Sequence, residues 1–148
     1  MKIVVIHGPN LNLLGTREPA VYGSRTLSEL DAEIAAHARA RGVTVETFQS
    51  NHEGELVARI HQAAADGAGI VINPGAYTHT SLAIADALRG VDVPAVEVHL
   101  SNIHARGPER SRSVTAAACR GLVSGFGFAG YALGIDALLA LGPDRDAS

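Results

Sequence analysis

Short apolar runs recur along the chain, each closed by polar or turn-forming residues. Ile3 to Ile6 is continuous and rich in β-branched side chains. Val43 to Phe48 (with polar interruptions), Gly69 to Ile72, Ala95 to Val98 and Leu122 to Val123 repeat the theme. Runs this short, bounded by turn residues, fit buried strands. Between them the apolar positions fall at helical spacing. Leu27, Leu30 and Ile34 mark one face of a first helix, with Thr26-x-x-Glu29 as its capping box. Leu56, Val57 and Ile60 mark a second, with Ser50-x-x-Glu53 as its cap. Leu82, Ile84, Ala85 and Leu88 mark a third, starting near Thr80. A short alanine-rich helix is expected from about Ser113 to Cys119. A last one runs from about Gly130 to Leu141, with Leu133, Ala137, Leu138 and Leu141 turned inward.

Five strands alternating with helices predict right-handed βαβ crossovers and a parallel sheet. The expected architecture is α/β, a three-layer sandwich around a five-stranded parallel sheet, resembling the flavodoxin type. In such sheets ligands bind outside the carboxyl ends of the strands. The informative stretches are therefore His7 to Arg25, Asn73 to His79 and His99 to Arg112, where Gly, Pro, Asn, His and Arg also concentrate.

Composition narrows the class. At 148 residues the chain fits one domain, 1–148, with a polar tail from Gly142 expected to fray. Hydrophobic residues are 47% and charged residues 18%, which excludes a disordered, collagenous or coiled-coil protein. Twelve basic residues against 15 acidic leave a net charge of −3, so bulk electrostatics make no case for nucleic acid. The single cysteine, Cys119, excludes an intramolecular disulfide and a cysteine-rich zinc site. The apolar start is too short for a signal peptide, and no run is long enough to span a bilayer. A soluble, cytoplasmic protein is expected.

Candidate chemistry sits after the strands. His7-Gly8-Pro9-Asn10-Leu11-Asn12 contains neither a dinucleotide-binding nor a P-loop glycine pattern. The chain then continues through Arg25 before the first helical pattern. Loops that long are usually lids or disordered. Arg17 and Tyr22 on it read as lid residues, or as a solvated charge and a packing aromatic. Asn73 closes the third strand and can aim an amide at a polar substrate. His79 is a ligand contact or a surface histidine, and Thr78 or Thr80 a helix cap. Glu97 and His99 are two apart and share one face of an extended strand. A carboxylate beside an imidazole orients the ring and favours its charged form, which suits a general acid. The competing reading is an exposed ion pair. A metal site through His99 and His104 is disfavoured, because no compact ligand set accompanies them. Arg106, Arg110 and Arg112 follow in a Gly-Pro loop and either bind anions or are solvated. His37 and His61 fall on helix faces as surface or boundary residues.

These stretches together closely resemble type II 3-dehydroquinate dehydratase. The match rests on HGPNLNLLGTREPAVYG at 7–23, QSNHEGELVARIHQA at 49–63, NPGAYTHTSLAIADAL at 73–88 and EVHLSNIHAR at 97–106. The C-terminal AAACRGLVSGFGFAGYALGIDAL looks like the family's last strand and helix. The resemblance implies dehydration of 3-dehydroquinate to 3-dehydroshikimate through an enolate, with no cofactor, metal or Schiff base. The only lysine, Lys2, stands at the N-terminus, where a Schiff-base role is implausible. Tyr22 would be the base, as tyrosinate. A free tyrosine titrates at about 10 and must be shifted down, and Arg17 would supply the nearby positive charge. Asn10 would hold a water against the enolate. His99 would protonate the departing hydroxyl, with Glu97 orienting it. Asn73, His79 and Arg110 match positions that bind substrate hydroxyls, and Ser101 and the backbone N–H of Leu100 match a carboxylate site. Asp86 matches a residue reaching a neighbouring subunit's site, which implies a homododecamer built of trimers.

The sequence departs from the family in places. Gly107-Pro108-Glu109-Arg110 stands where Glu-Glu-Phe-Arg or Glu-Pro-Phe-Arg is usual, with Ser111 where a histidine often follows. Arg112 therefore competes with Arg110, and Ala85 replaces a common arginine before Asp86. Two alternatives stand beside the dehydratase. One is a non-catalytic binder on the same scaffold, motivated by the altered 107–111 loop; the other is a flavin-type cofactor protein, which would lack its phosphate loop.

Overall fold

The computed structural model describes residues 1–16, 20 and 23–142. Its main elements run in order β1 (Lys2–His7), α1 (Leu27–Ala40), β2 (Thr44–Gln49), α2 (Glu53–Ala65), β3 (Gly69–Asn73), α3 (Leu82–Gly90), β4 (Ala95–His99), β5 (Gly121–Ser124) and α4 (Ala129–Leu141). The strands form one sheet in the order β2-β1-β3-β4-β5, and every neighbouring pair is parallel. This is the flavodoxin-like order expected from the alternation, with its switch point between β1 and β3. The expected fraying of the tail concerns 143–148, which lie outside the described residues.

The period of two along each strand builds two cores. Ile3, Val5, Val71, Val96 and Val98 face α1 and α4, where they meet Leu30, Ile34, Tyr131, Ile135 and Leu138. Val4, Ile6, Ile70, Ile72 and Ala95 face α2 and α3, where they meet Leu56, Ile60, Ile84 and Leu88. A sheet covered on both faces needs strands that are apolar on both faces, hence the continuous runs. β2 and β5 are the exceptions, partly exposed along their length because they form the two sheet edges.

Local signals held to different degrees. Thr26 is the N-cap of α1, and its Oγ1 accepts from the Glu29 N–H, as the capping box predicts. Ser50 does not cap α2. The cap position is His52, whose N–H donates to Ser50 Oγ, while that hydroxyl donates to Glu55. α3 starts at Leu82, two residues after Thr80, with Ser81 accepting from the Ile84 N–H as its cap.

Two expectations are corrected. Ser113 to Cys119 forms no α-helix, only a 3-10 turn at Ala116–Ala118. Its backbone and side chains are taken by tertiary partners: Val114 N–H donates to the Thr78 carbonyl, and Thr115 donates to Glu97. On α4, Leu133 points outward and is 46% exposed. Gly130 and Gly134 face the sheet instead, and a Cβ on Gly134 would stand 3.1 Å from Val98. The two glycines let α4 lie close to β4, which turns Tyr131, Ile135 and Leu138 inward.

Candidate active site

The carboxyl ends of β1, β3 and β4 meet at one pocket. It is lined by Asn10, Asn73, His79, His99, Leu100, Ser101 and Arg110, together with residues of the same loops. Seven positions singled out from sequence thus converge, although they span residues 10 to 110 of the chain. Arg17 and Tyr22 lie outside the described residues. Asp86 is on the exposed face of α3, away from the pocket lining, and stands 4.0 Å from Arg89. Arg110 and Arg112 are placed differently. Arg110 lines the pocket, while Arg112 contributes its backbone carbonyl as acceptor for His79 Nδ1 at 2.7 Å.

The loops after β1 and β3 interlock to form the floor. Gly8 N–H donates to the Asn73 carbonyl at 2.7 Å. A Cβ on Gly8 would fall 2.5 Å from the Pro74 backbone, so only glycine lets the strands' ends approach this closely. Asn10 then takes a left-handed conformation, φ 69°, which asparagine tolerates better than most residues. Its N–H donates to Asn51 Oδ1 at 3.0 Å, so the loop after β2 supports it.

His99 and Glu97 are both buried, which overturns the exposed ion-pair reading. His99 Nε2 lies 2.7 Å from Glu97 Oε2. Thr78 also donates to Oε2, at 2.7 Å, as does Ser113 at 3.2 Å, while Thr115 donates to Oε1. Burial alone would push the Glu97 carboxyl upward. The His99 hydrogen bond and charge, with the Thr115 and Thr78 hydroxyls, outweigh it and hold the group below its ordinary value. Glu97 is thereby favoured in its anionic form, hydrogen-bonded to the imidazole. Thr78 is not a helix cap but part of this cage.

A second polar cluster lies under the opposite face of the sheet. His7 and Asn73 pair in register at the ends of β1 and β3. Both point toward the α1/α4 layer, where Tyr131 Oη lies 3.2 Å from His7 Nδ1 and accepts from Asn73 Nδ2 at 3.0 Å. Asp31 of α1 completes it, 2.8 Å from His7 Nε2. Sequence reasoning passed over His7, Asp31, Tyr131, Ser113 and Thr115, whereas Arg106, one of the three loop arginines it named, lines the pocket. The available signal was the run of polar residues ending adjacent apolar strands: His7, Asn73, and Glu97 with His99. Among the described residues no three His, Cys, Asp or Glu side chains converge as a metal site, and no helix is long and apolar enough to cross a membrane.

The family model described as Dehydroquinase class II matches residues 1–139. The chain is 55% identical over 134 residues to a catabolic 3-dehydroquinase of Aspergillus oryzae, covering 90% of this chain and 88% of that protein. It is 55% identical over 135 residues to a 3-dehydroquinate dehydratase of Ralstonia pickettii, covering 90% and 87%. The crystal structure of a type II dehydroquinase from Butyrivibrio crossotus superimposes with a TM-score of 0.92 at 47% identity, covering 94% of this chain and 97% of that one. A family match over nearly the whole chain, with the same fold at this identity, means that the chain belongs to the class II dehydroquinase family.

Proposed function

We propose that this protein dehydrates 3-dehydroquinate to 3-dehydroshikimate through an enolate; the names of its relatives support the dehydration of 3-dehydroquinate. The observation carrying the reading is the buried Glu97–His99 pair, whose His99 lines one pocket with Asn73, His79, Leu100, Ser101 and Arg110. Tyr22, as tyrosinate on the lid with Arg17 beside it, takes the proton α to the ketone. The electron pair moves onto the ketone oxygen, where a water held by Asn10 stabilises it. Collapse of the enolate expels the β-hydroxyl, which His99 protonates, so one proton and one hydroxyl leave as water. Glu97 holds His99 Nε2 and leaves Nδ1 for the transferred proton. Asn73, His79 and Arg110 bind hydroxyls, and Ser101 with the Leu100 N–H binds the carboxylate. These steps use protein groups and one water, and none is routed through a metal.

The same reading extends to assembly. Asp86 reaches the pocket of a neighbouring subunit in a dodecamer of trimers. Its exposed position on α3, one turn after the exposed Leu82, supports this.

Ultraviolet absorbance after adding 3-dehydroquinate to the purified protein with a chelator tests the function. Growth of the conjugated enone band, absent in Tyr22→Phe, is the expected outcome. A flat trace with folded protein would favour the non-catalytic binder, with the 107–111 loop as first suspect.

A further inference from the structure

The cluster beneath Asn73 has one consistent direction of hydrogen bonding. Gly75 N–H donates to Asn73 Oδ1 at 3.0 Å, which identifies the other amide atom as nitrogen. One N–H of that nitrogen goes to the Tyr131 oxygen at 3.0 Å. At the far end the Asp31 carboxylate can only accept, so His7 must present Nε2–H to it. His7 Nδ1 is then free to accept the Tyr131 hydroxyl proton at 3.2 Å. With a proton on Nδ1 instead, the Tyr131 hydroxyl would have no acceptor in a position with no solvent exposure. Such an orphan costs about 1–3 kcal/mol. Burial also pushes the Tyr131 phenol well above its ordinary value, against the opposing Asn73 hydrogen bond, so it keeps the proton it donates.

We infer that Tyr131, His7 and Asp31 are positioning residues that lock the Asn73 carboxamide, leaving one N–H aimed as an obligate donor at an oxygen of the bound substrate. Asn73 lines the pocket while the other three do not, so they act through it. A freely rotating carboxamide would offer a donor or an acceptor to any polar group. A locked one accepts only a substrate presenting a lone pair at that point, such as a hydroxyl oxygen. The three residues come from β1, α1 and α4, so pocket specificity depends on the layer behind the sheet as well as on its loops.

This inference rests on the proposed dehydration for its kinetic test, and a second readout is independent of turnover. Tyr131→Phe should lower kcat/KM for 3-dehydroquinate by about five- to tenfold, the worth of one hydrogen bond. In an Asn73→Ala background the same change should cost nothing further, because the two act as one unit. Equal losses in both backgrounds would make Tyr131 merely structural and overturn the inference. Nitrogen-15 NMR of wild-type imidazoles should show the His7 proton on Nε2, and a proton on Nδ1 would overturn it whether or not the enzyme turns over. A wild type that leaves 3-dehydroquinate unchanged sinks the proposed function, while the NMR result still decides the hydrogen-bond chain.

Discussion

Glu97 shows how a single residue becomes functional through what surrounds it. A fully buried carboxylate is costly unless hydrogen-bonded and paired. Here one imidazole and three hydroxyls serve it, two of them from a segment that local pattern reads as helix. Because its folded pKa lies below the unfolded value near 4.5, Glu97 contributes stability that is fully present above pH 4.5. That contribution is lost as pH falls through the folded value. Glu97→Gln should thus destabilise the protein at pH 7 by about 1–3 kcal/mol, since it weakens a buried hydrogen-bonded anion. Urea melts of both proteins at pH 7 and at more acidic values should show the gap narrowing below pH 4.5. A gap independent of pH would mean that Glu97 is not held as an anion.

At the scale of elements, the site depends on how closely β1 and β3 end. The Gly8 N–H to Asn73 carbonyl bond joins the two loops, and there is no room between Gly8 and the Pro74 backbone. Gly8→Ala must push two backbones apart, displacing Asn10 and Asn73 together. A loss of at least about 2 kcal/mol is expected, in the range of overpacking, with a drop in substrate affinity. Gly54→Ala on α2 is the control, since a Cβ there meets nothing within 4 Å. It should be neutral or stabilising by up to about 1 kcal/mol, from helix propensity. Thermal melts of the two variants decide it, and similar melting temperatures would mean that the β1–β3 junction can relax.

For the whole molecule, the question is whether the pocket is complete within one chain. Asp86 sits on an exposed helix face and is not among the residues lining the pocket of its own chain, yet it is the position expected to serve a neighbour. Asp86→Ala should therefore shift sedimentation toward smaller species, raise KM, or both, while the fold persists. Unchanged sedimentation and unchanged kinetics together would remove the cross-subunit role.

The alternation of apolar runs with amphipathic segments was enough to determine the strand count, the parallel sheet and the strand ends as the place for chemistry. These properties are written in period and punctuation, which act over a few residues. The stretches that line the pocket were legible too, because Asn10, Asn73, His79, His99 and Arg110 stand at strand ends or in the loops that follow, and the family resemblance singled these residues out within them. What only the tertiary structure decided depends on partners far apart in sequence. Ser113 and Thr115 look like helix, yet they serve a carboxylate brought in by β4. His7 looks like the end of a strand and Tyr131 like one more apolar helix position. Folding against the same face of the sheet makes them one hydrogen-bonded chain with Asp31 and Asn73. Hydrophobic pattern states which face of an element is buried. It cannot state which buried polar groups will meet there, because that depends on crossovers that bring distant residues into register.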